Sequence, residues 1–180
     1  MGQRHISNLK KIGIKNITAL RSKKGHYKKL PKDLGVNEIY CWDDALNLEF
    51  DIAILSNPTS LHIDAALKIS KSVKGIFIEK PLSNTLSGCN QLIDLLNAKK
   101  ITSFVGHNLM FHPIVQKIID FYNKNDVGEI INIQCQVGQW LPDWHPYEDF
   151  TKAYYARKDL GGGATLTLIH EIHLALELAG

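Results

Sequence analysis

The chain has 180 residues, of which 44% are hydrophobic and 22% are charged, and its formal net charge is +3. This composition is typical of a globular protein, and the length allows one full domain or one domain and part of a second. No apolar run approaches the length of a membrane span, and no signal-like hydrophobic stretch follows Met1. We therefore expect a cytoplasmic protein without a membrane partner.

The charge is distributed unevenly along the chain. Ten basic residues precede Asp33 without any acidic residue among them, whereas the remainder carries 11 basic and 18 acidic residues, a net −7. One interpretation is a basic arm for nucleic acid, but Tyr27 is the only aromatic residue among these charges and no recognition motif accompanies them. We favour a solvated helix and loop that partly holds a cofactor phosphate, and we expect no nucleic-acid partner.

The hydrophobic periodicity switches repeatedly between that of a helix and that of a strand. In chain order it predicts a helix over 2–12, a strand over 16–20, a short helix over 43–48, a strand over 51–55, a helix over 61–70, a strand over 75–78, a helix over 87–99 and a strand over 101–105. Strands that alternate with helices predict an α/β protein with a doubly wound parallel sheet.

The pattern changes after residue 112. It predicts a helix over 113–123, a strand over 130–137 and a long polar and aromatic loop over 139–160. We therefore place a domain boundary near residue 112, which gives a first domain over 1–112 and the beginning of a second over 113–180.

Two features indicate an enzyme. The apolar strand over 75–78 delivers Glu79, Lys80 and Pro81 at its carboxyl end, where parallel sheets place ligands and catalytic groups. A glycine triplet over 161–163 leads into an apolar segment that carries His170, a potential acid/base partner for Lys80. A cis peptide before Pro81 would turn the chain sharply, but the sequence leaves the isomer open. The alternatives are a surface role for Lys80 and a structural role for His170.

A metal site is not expected. His170 and His173 share a helix face with Glu171, but their spacing is not that of the zinc proteases and no third ligand is fixed nearby. The three cysteines are odd in number and far apart, which predicts neither a disulfide framework nor a cysteine-based zinc site. His107 and His112 receive no assignment from the sequence.

Five motifs, in this order and spacing, are similar to those of the glucose-fructose oxidoreductase/inositol dehydrogenase (Gfo/Idh/MocA) family. They are the run over 1–5, which resembles the end of a glycine-rich nucleotide-binding fingerprint, the run over 57–62, the tripeptide Glu79-Lys80-Pro81, the run over 108–113 and the glycine-rich run over 161–170. The segments over 141–146 and 157–161 look most like members associated with bacterial surface-polysaccharide synthesis.

The resemblance implies most of a Rossmann domain followed by the start of an α/β substrate-binding domain. The sheet would be incomplete, because the family's first strand and its two glycines would precede Met1, and most of the second domain would follow Gly180. The full-length form is expected to be a homo-oligomer. Two family aspartates are replaced, one by Thr167 or Leu166 and the other by His173, so that a non-catalytic binding or regulatory relative, or an inactive fragment, is the alternative.

The resemblance also implies a chemistry, an NAD(P)-dependent oxidation of a sugar or nucleotide sugar. His170 would accept the hydroxyl proton, and Lys80 would orient the same oxygen and stabilise the developing charge. The candidate cofactor-binding residues are Gly2, Arg21, Ser22, Asn57, Pro58, His62, Glu79 and Lys80. The strand over 16–20 ends beside Arg21 without an acidic residue, which predicts that NADP is accepted at least as well as NAD.

Candidate substrate-binding residues lie in the aromatic and basic part of the predicted loop. They are Trp144 and Tyr154, whose rings either pack or form a platform for a sugar, and Arg157 and Lys158. The two cations would bind a phosphate or carboxylate through charge-assisted hydrogen bonds, which suits a nucleotide sugar.

Overall fold

The computed structural model describes residues 1–22, 35–124 and 128–180. The basic stretch over 23–32 lies outside the described residues, and with it the predicted solvated loop. Contacts divide the chain into two units. The first unit comprises Met1–Asn57, His62–Ile78 and Ser87–Phe104, and the second comprises Pro58–Leu61, Glu79–Leu86 and Val105–Gly180. The predicted boundary near residue 112 concerns functional domains and stays a prediction.

The strands form two separate sheets. In one, β1 (Thr18–Leu20) pairs in parallel with β2 (Asn37–Ile39). In the other, the order is β3 (Phe50–Leu55), β4 (Val73–Ile78) and β5 (Thr102–Val105), and β3 and β4 are parallel with Leu55 opposite Ile78. Among the described residues, β1 and β3 have no strand on their other sides. The prediction of an α/β protein with an incomplete Rossmann-type parallel sheet is confirmed.

Four helices belong to the first unit: α1 (Gly2–Lys11), α2 (Trp42–Leu46), α3 (His62–Ile69) and α4 (Cys89–Lys99). Helix α3 forms because its apolar residues recur every three to four positions, and Ala66 is fully buried where α3 contacts β3 and β4. Helix α4 packs on α3, and Leu92 is only 2% exposed. These helices and the apolar residues of β4 make the core of this unit.

Short elements dominate the second unit. Its helices are α5 (Pro113–Asn123), α6 (Leu141–Trp144), α7 (Ala164–Thr167) and α8 (His170–Ala179), with 3-10 turns at Thr59–Leu61, Asn108–Phe111, Phe150–Lys152, Tyr154–Ala156 and Lys158–Leu160. Helix α5 begins where the sequence predicts, because Pro113 occupies its first turn and the His112 Nδ1 accepts the Ile114 N–H at 3.2 Å. None of the helices in the described ranges is long and apolar enough to cross a membrane.

Two sequence predictions need correction, and one strand was not predicted. The predicted strand over 130–137 is wrong, because the described residues 128–140 contain neither strand nor helix and Ile131 is 98% exposed. The predicted loop over 139–160 contains α6 and three 3-10 turns. Strand β2 was missed, since three residues are too few to show an alternating pattern.

Candidate functional site

Strand β4 places Lys80 at the site. The strand is apolar and buried at Ile76 and Ile78, and the chain leaves its carboxyl end through Glu79 and Lys80, followed by a cis Lys80–Pro81 bond. The Lys80 Nζ donates a hydrogen bond of 2.6 Å to the carbonyl oxygen of Thr167. Burial lowers the pKa of Lys80, although the negative charges of Glu79 and Glu171 act in the opposite direction.

The glycine triplet brings α7 and α8 to this position. Gly161 has a φ of +80°, and a side chain there would approach the Thr59 Cβ to 2.8 Å. A side chain on Gly162 would meet the Tyr154 carbonyl oxygen and the Tyr155 backbone. Only glycine fits such close backbone approaches, so the triplet fixes the path into α7, which ends at Thr167.

His170 is the first residue of α8, and two more imidazoles lie beside it. The His107 ring stacks on that of His173, with centroids 3.7 Å apart and planes 2° apart. The same His107 ring meets His170 edge to face, with centroids 6.2 Å apart. The His173 Nε2 also lies 3.5 Å from the Glu177 carboxylate, one turn further along α8.

The electrostatics favour the neutral forms of His107 and His170. Burial, and then the positive charge of Lys80, lower the pKa of His170. Burial, followed by His173, His170 and Lys80, lowers the pKa of His107 from 6.5 to about 4. His170 therefore has the neutral form that a general base needs at neutral pH.

Three polar atoms of the cluster are buried without a hydrogen-bond partner among the described residues: the Nδ1 atoms of His107 and His170 and the Oγ1 of Thr167. Such atoms are costly unless the site uses or compensates them. The sequence alone indicates no role for His107. The signal that could have found it is its position directly after β5, because the same strand-end rule identified Lys80 after β4.

The predicted cofactor-binding residues fall into both units. Gly2, Arg21, Ser22, Asn57 and His62 belong to the first unit, and Pro58, Glu79 and Lys80 to the second. Gly2 begins α1, whose first turn contains no acidic residue and whose N-cap Met1 makes no side-chain cap. A side chain at Gly2 would approach the Ser56 Oγ to 3.1 Å. A helix start is a common position for phosphate groups, and the cofactor role of Gly2 stays a prediction.

Arg21 has a partner that the sequence did not reveal. Its Nη1 lies 2.5 Å from the Glu38 Oε2, and both side chains are largely buried, at 16% and 25% exposed. Since Glu38 is in β2, the parallel register of β1 and β2 brings the two side chains together. Arg21 is therefore already engaged by a carboxylate at the position where a cofactor ribose is expected.

The His62 side chain is too deeply buried for a direct contact with a cofactor. Its side chain is 1% exposed, and its Nε2 is 2.9 Å from the Asn57 carbonyl oxygen. This bond joins the start of α3 to the turn that follows β3. The observed contact of His62 thus stabilises the backbone around Asn57.

The predicted substrate residues lie in the second unit but differ in their surroundings. Trp144 packs against His145 and Tyr155, with ring centroids 5.2 and 5.0 Å apart. Burial, followed by the charge of Glu79, raises the pKa of Tyr154, which places this phenol within electrostatic reach of the Glu79-Lys80 turn.

The two predicted cations are not equally available. The Arg157 guanidinium donates through Nε and Nη2 to both carboxylate oxygens of Asp159, at 3.1 and 2.5 Å. Lys158 is exposed. Their substrate roles stay predictions.

The family comparison matches residues 1–107 to an oxidoreductase family with an NAD-binding Rossmann fold. An uncharacterised oxidoreductase of Streptococcus pneumoniae is 22% identical over 84% of this chain and 40% of its own length. A D-xylose dehydrogenase of Paenarthrobacter nicotinovorans is 26% identical over 71% of this chain and 33% of its own length.

Solved structures have the same fold. The WlbA dehydrogenase of Bordetella pertussis, in complex with NADH and UDP-GlcNAcA, superposes with a TM-score of 0.78 at 14% identity, over 99% of this chain and 55% of its own. The chain therefore spans less than two thirds of the length of each of these relatives.

Proposed function

The chain belongs to the Gfo/Idh/MocA oxidoreductase family with its NAD-binding Rossmann fold, and we propose that it is part of an NAD(P)-dependent dehydrogenase of sugars or nucleotide sugars. The reaction is the transfer of hydride between a secondary hydroxyl, or the corresponding ketone, and the nicotinamide. Both a sugar dehydrogenase and a dehydrogenase bound to a nucleotide sugar are among its relatives.

The observation that carries the proposal is the placement of Lys80 beside the segment that bears His170. Lys80 donates to the Thr167 carbonyl, three residues before His170, and its charge contributes to the lowered pKa of that imidazole. A half-buried ammonium next to a neutral imidazole is an arrangement suited to acid/base work on one oxygen.

In the oxidation, His170 accepts the proton of the substrate hydroxyl. Lys80 uses one N–H for Thr167 and keeps two more to hold the same oxygen and stabilise its negative charge. A bound nicotinamide would supply the acceptor for the hydride that leaves the carbon, so that the products would be a ketone and a protonated His170. The reverse reaction uses the same groups with the proton returning from His170.

For the cofactor, the start of α1 at Gly2 would hold the pyrophosphate, with Ser22, Asn57, Pro58 and Glu79 as further contacts. We propose that NADP is accepted at least as well as NAD. For this, the Arg21 side chain has to turn away from Glu38 toward a 2′-phosphate. The preference for NADP therefore depends on the strength of the Arg21–Glu38 salt bridge.

For the substrate, Trp144 and Tyr154 would contact the sugar, and Arg157 and Lys158 would contact a phosphate or carboxylate. We further propose a nucleotide sugar of bacterial surface-polysaccharide synthesis as the substrate, and a homo-oligomer as the full-length form. The effect of the Glu79 charge on the pKa of Tyr154, after that of burial, supports the sugar end of this assignment.

A non-catalytic binding or regulatory role is the second candidate. A general base that works through Nε2 needs its Nδ1 proton held by an acceptor, and the His170 Nδ1 has none among the described residues. Thr167 and His173 stand where the resemblance implies aspartates.

The experiment that separates the candidates measures cofactor binding and turnover on the full-length gene product. Binding of NADH and NADPH is followed by calorimetry, and nicotinamide reduction is followed with a panel of UDP-sugars and free sugars. We expect binding and sugar-dependent reduction with at least one nucleotide sugar. Binding without turnover on any sugar would favour the second candidate, and absence of binding would overturn both.

A further inference from the structure

The second unit contains a three-histidine cluster that the chemistry above uses only in part. The His107 imidazole contacts those of both His170 and His173, although only His170 is needed as the base. They come from two places in the chain, the end of β5 and the first turn of α8. Because these ring contacts join distant segments of the chain, we considered what His107 and His173 contribute to the site.

A metal site is not that role. In a stacked pair with planes 2° apart, the ring nitrogens cannot converge on one ion, since the in-plane lone pairs of the two rings run parallel. Consistent with this geometry, the described part of the chain holds no group of three or more His, Cys, Asp or Glu residues arranged for a metal.

Exclusion of water from His170 fits the geometry better. The His107 ring is wedged between its two neighbours, parallel to His173 and perpendicular to His170. Its Nδ1 is buried, and so is the Nδ1 of His170, which shows that this side of both rings is closed to solvent.

We propose that His107, stacked on His173, is a positioning residue that covers one side of the His170 imidazole and keeps it dehydrated and neutral. His107 acts through His170, and its importance for turnover rests on the proposed function. The lowered pKa values of both rings, for which burial is the first cause, agree with this role.

Charged groups around the cluster act in both directions. Lys80, from the end of β4, disfavours a proton on His170, whereas Glu79 beside it and Glu171 on α8 favour one. Glu177 lies 3.5 Å from the His173 Nε2. His173 disfavours a proton on His170 as well, and burial, to which the covering ring would contribute, is the first cause of the lowered pKa.

The test is an NMR titration of the histidine side chains in the full-length gene product. His107→Ala removes the covering ring, and His107→Phe keeps a flat ring of similar width without its nitrogens. We expect the His170 midpoint to rise toward 6.5 in His107→Ala and to stay lowered in His107→Phe. The control is His112→Asn, which alters an exposed histidine and retains an N-cap acceptor for α5.

An unchanged His170 midpoint in His107→Ala would overturn the proposal, and so would equal shifts in the Ala and Phe variants. Should a variant fail to fold, hydrogen–deuterium exchange at the imidazole C2 carbon of the unaltered protein decides. Slower exchange at His107 and His170 than at His112 supports the proposal, and equal exchange overturns it. The titration needs no cofactor or substrate. It therefore tests the role of His107 even if the protein has no dehydrogenase activity.

Discussion

Each of the two units is stabilised internally by a different kind of interaction. The first unit buries aliphatic side chains between sheet and helices, with Ala66 at 0% and Ile76, Ile78 and Leu92 at 2% exposure. In the second unit, the large side chains Ile131, Trp140 and Leu176 are between 66% and 98% exposed. What organises the second unit instead is close backbone packing at the glycine triplet, ring contacts and the Lys80–Thr167 bond.

This difference matters because the candidate catalytic groups lie in the unit with fewer buried apolar side chains among the described residues. A hydrophobic core tolerates many substitutions of similar volume, whereas a close backbone approach tolerates none. The site should therefore respond sharply to changes that leave the core of the first unit untouched.

The largest expected effect comes from Gly162→Ala. Its new methyl group would meet the Tyr154 carbonyl oxygen and stand 2.7 Å from the Tyr155 backbone, which should cost roughly 3 kcal/mol of unfolding free energy. The measurement is urea unfolding followed by tryptophan fluorescence in a Trp42→Phe background, in which Trp140 and Trp144 report on the second unit.

Two other glycines of the second unit provide the controls for this variant. Gly138 has nothing within 4 Å of an added methyl and no positive φ, so Gly138→Ala should change the unfolding free energy by no more than about 0.5 kcal/mol. Gly163 also has open space, but its φ of +112° and ψ of 160° are essentially restricted to glycine, so Gly163→Ala should cost about 1 to 3 kcal/mol through backbone strain alone. Equal losses at Gly162 and Gly138 would show that close packing does not hold the second unit.

The second prediction concerns the groups that this packing positions. In the full-length gene product, Lys80→Ala and His170→Ala should each lower kcat by about 100-fold or more, because each removes a group acting on the transferred proton. Calorimetric binding of the nicotinamide should survive in His170→Ala. The matched control is His112→Asn, and near-normal turnover in both variants would remove the two assignments.

The sequence was a good guide to the first unit because burial leaves a periodic signature. Helices α3 and α4 and the strands β3 to β5 were predicted within a few residues of their observed bounds. The alternation of Ile133, Cys135 and Val137 indicated a strand in the same way, but a strand also needs a partner, and none of the described residues provides one. Periodicity therefore reports which face is apolar and not whether pairing occurs.

Site residues that directly follow a strand could be predicted from the sequence. Contacts between two side chains that are distant in the sequence could not. Lys80 was found from the end of β4, but the engagement of Arg21 by Glu38 depends on β2, which was too short to recognise. The stack of His107 on His173 joins residues 66 positions apart and leaves no local pattern. Contacts between distant side chains thus needed the structure.

The third prediction tests the Arg21–Glu38 pair in the first unit. Glu38→Gln removes the negative charge, which should weaken the hold of this side chain on Arg21 and raise the preference for NADP over NAD by about tenfold, equivalent to about 1.4 kcal/mol. Arg21→Asp should shift the preference toward NAD. The ratio of the two dissociation constants is the measurement, and a ratio unchanged in both variants would argue that this pair is purely structural.

The smallest expected effect is a pH dependence of stability that originates in the second unit. The pKa of His107 falls from 6.5 to about 4 on folding, so between these values the unfolded chain binds more protons than the folded one. Stability should therefore decrease as the pH falls through this window, and the loss should be complete below about pH 4. Because the ring is only partly buried, solvent screening should limit the loss to about 1 kcal/mol. Thermal midpoints between pH 8 and 4 provide the check. His107→Phe should flatten this slope and His112→Asn should not, whereas an identical slope in all three proteins would mean that His107 keeps its ordinary titration in the folded state.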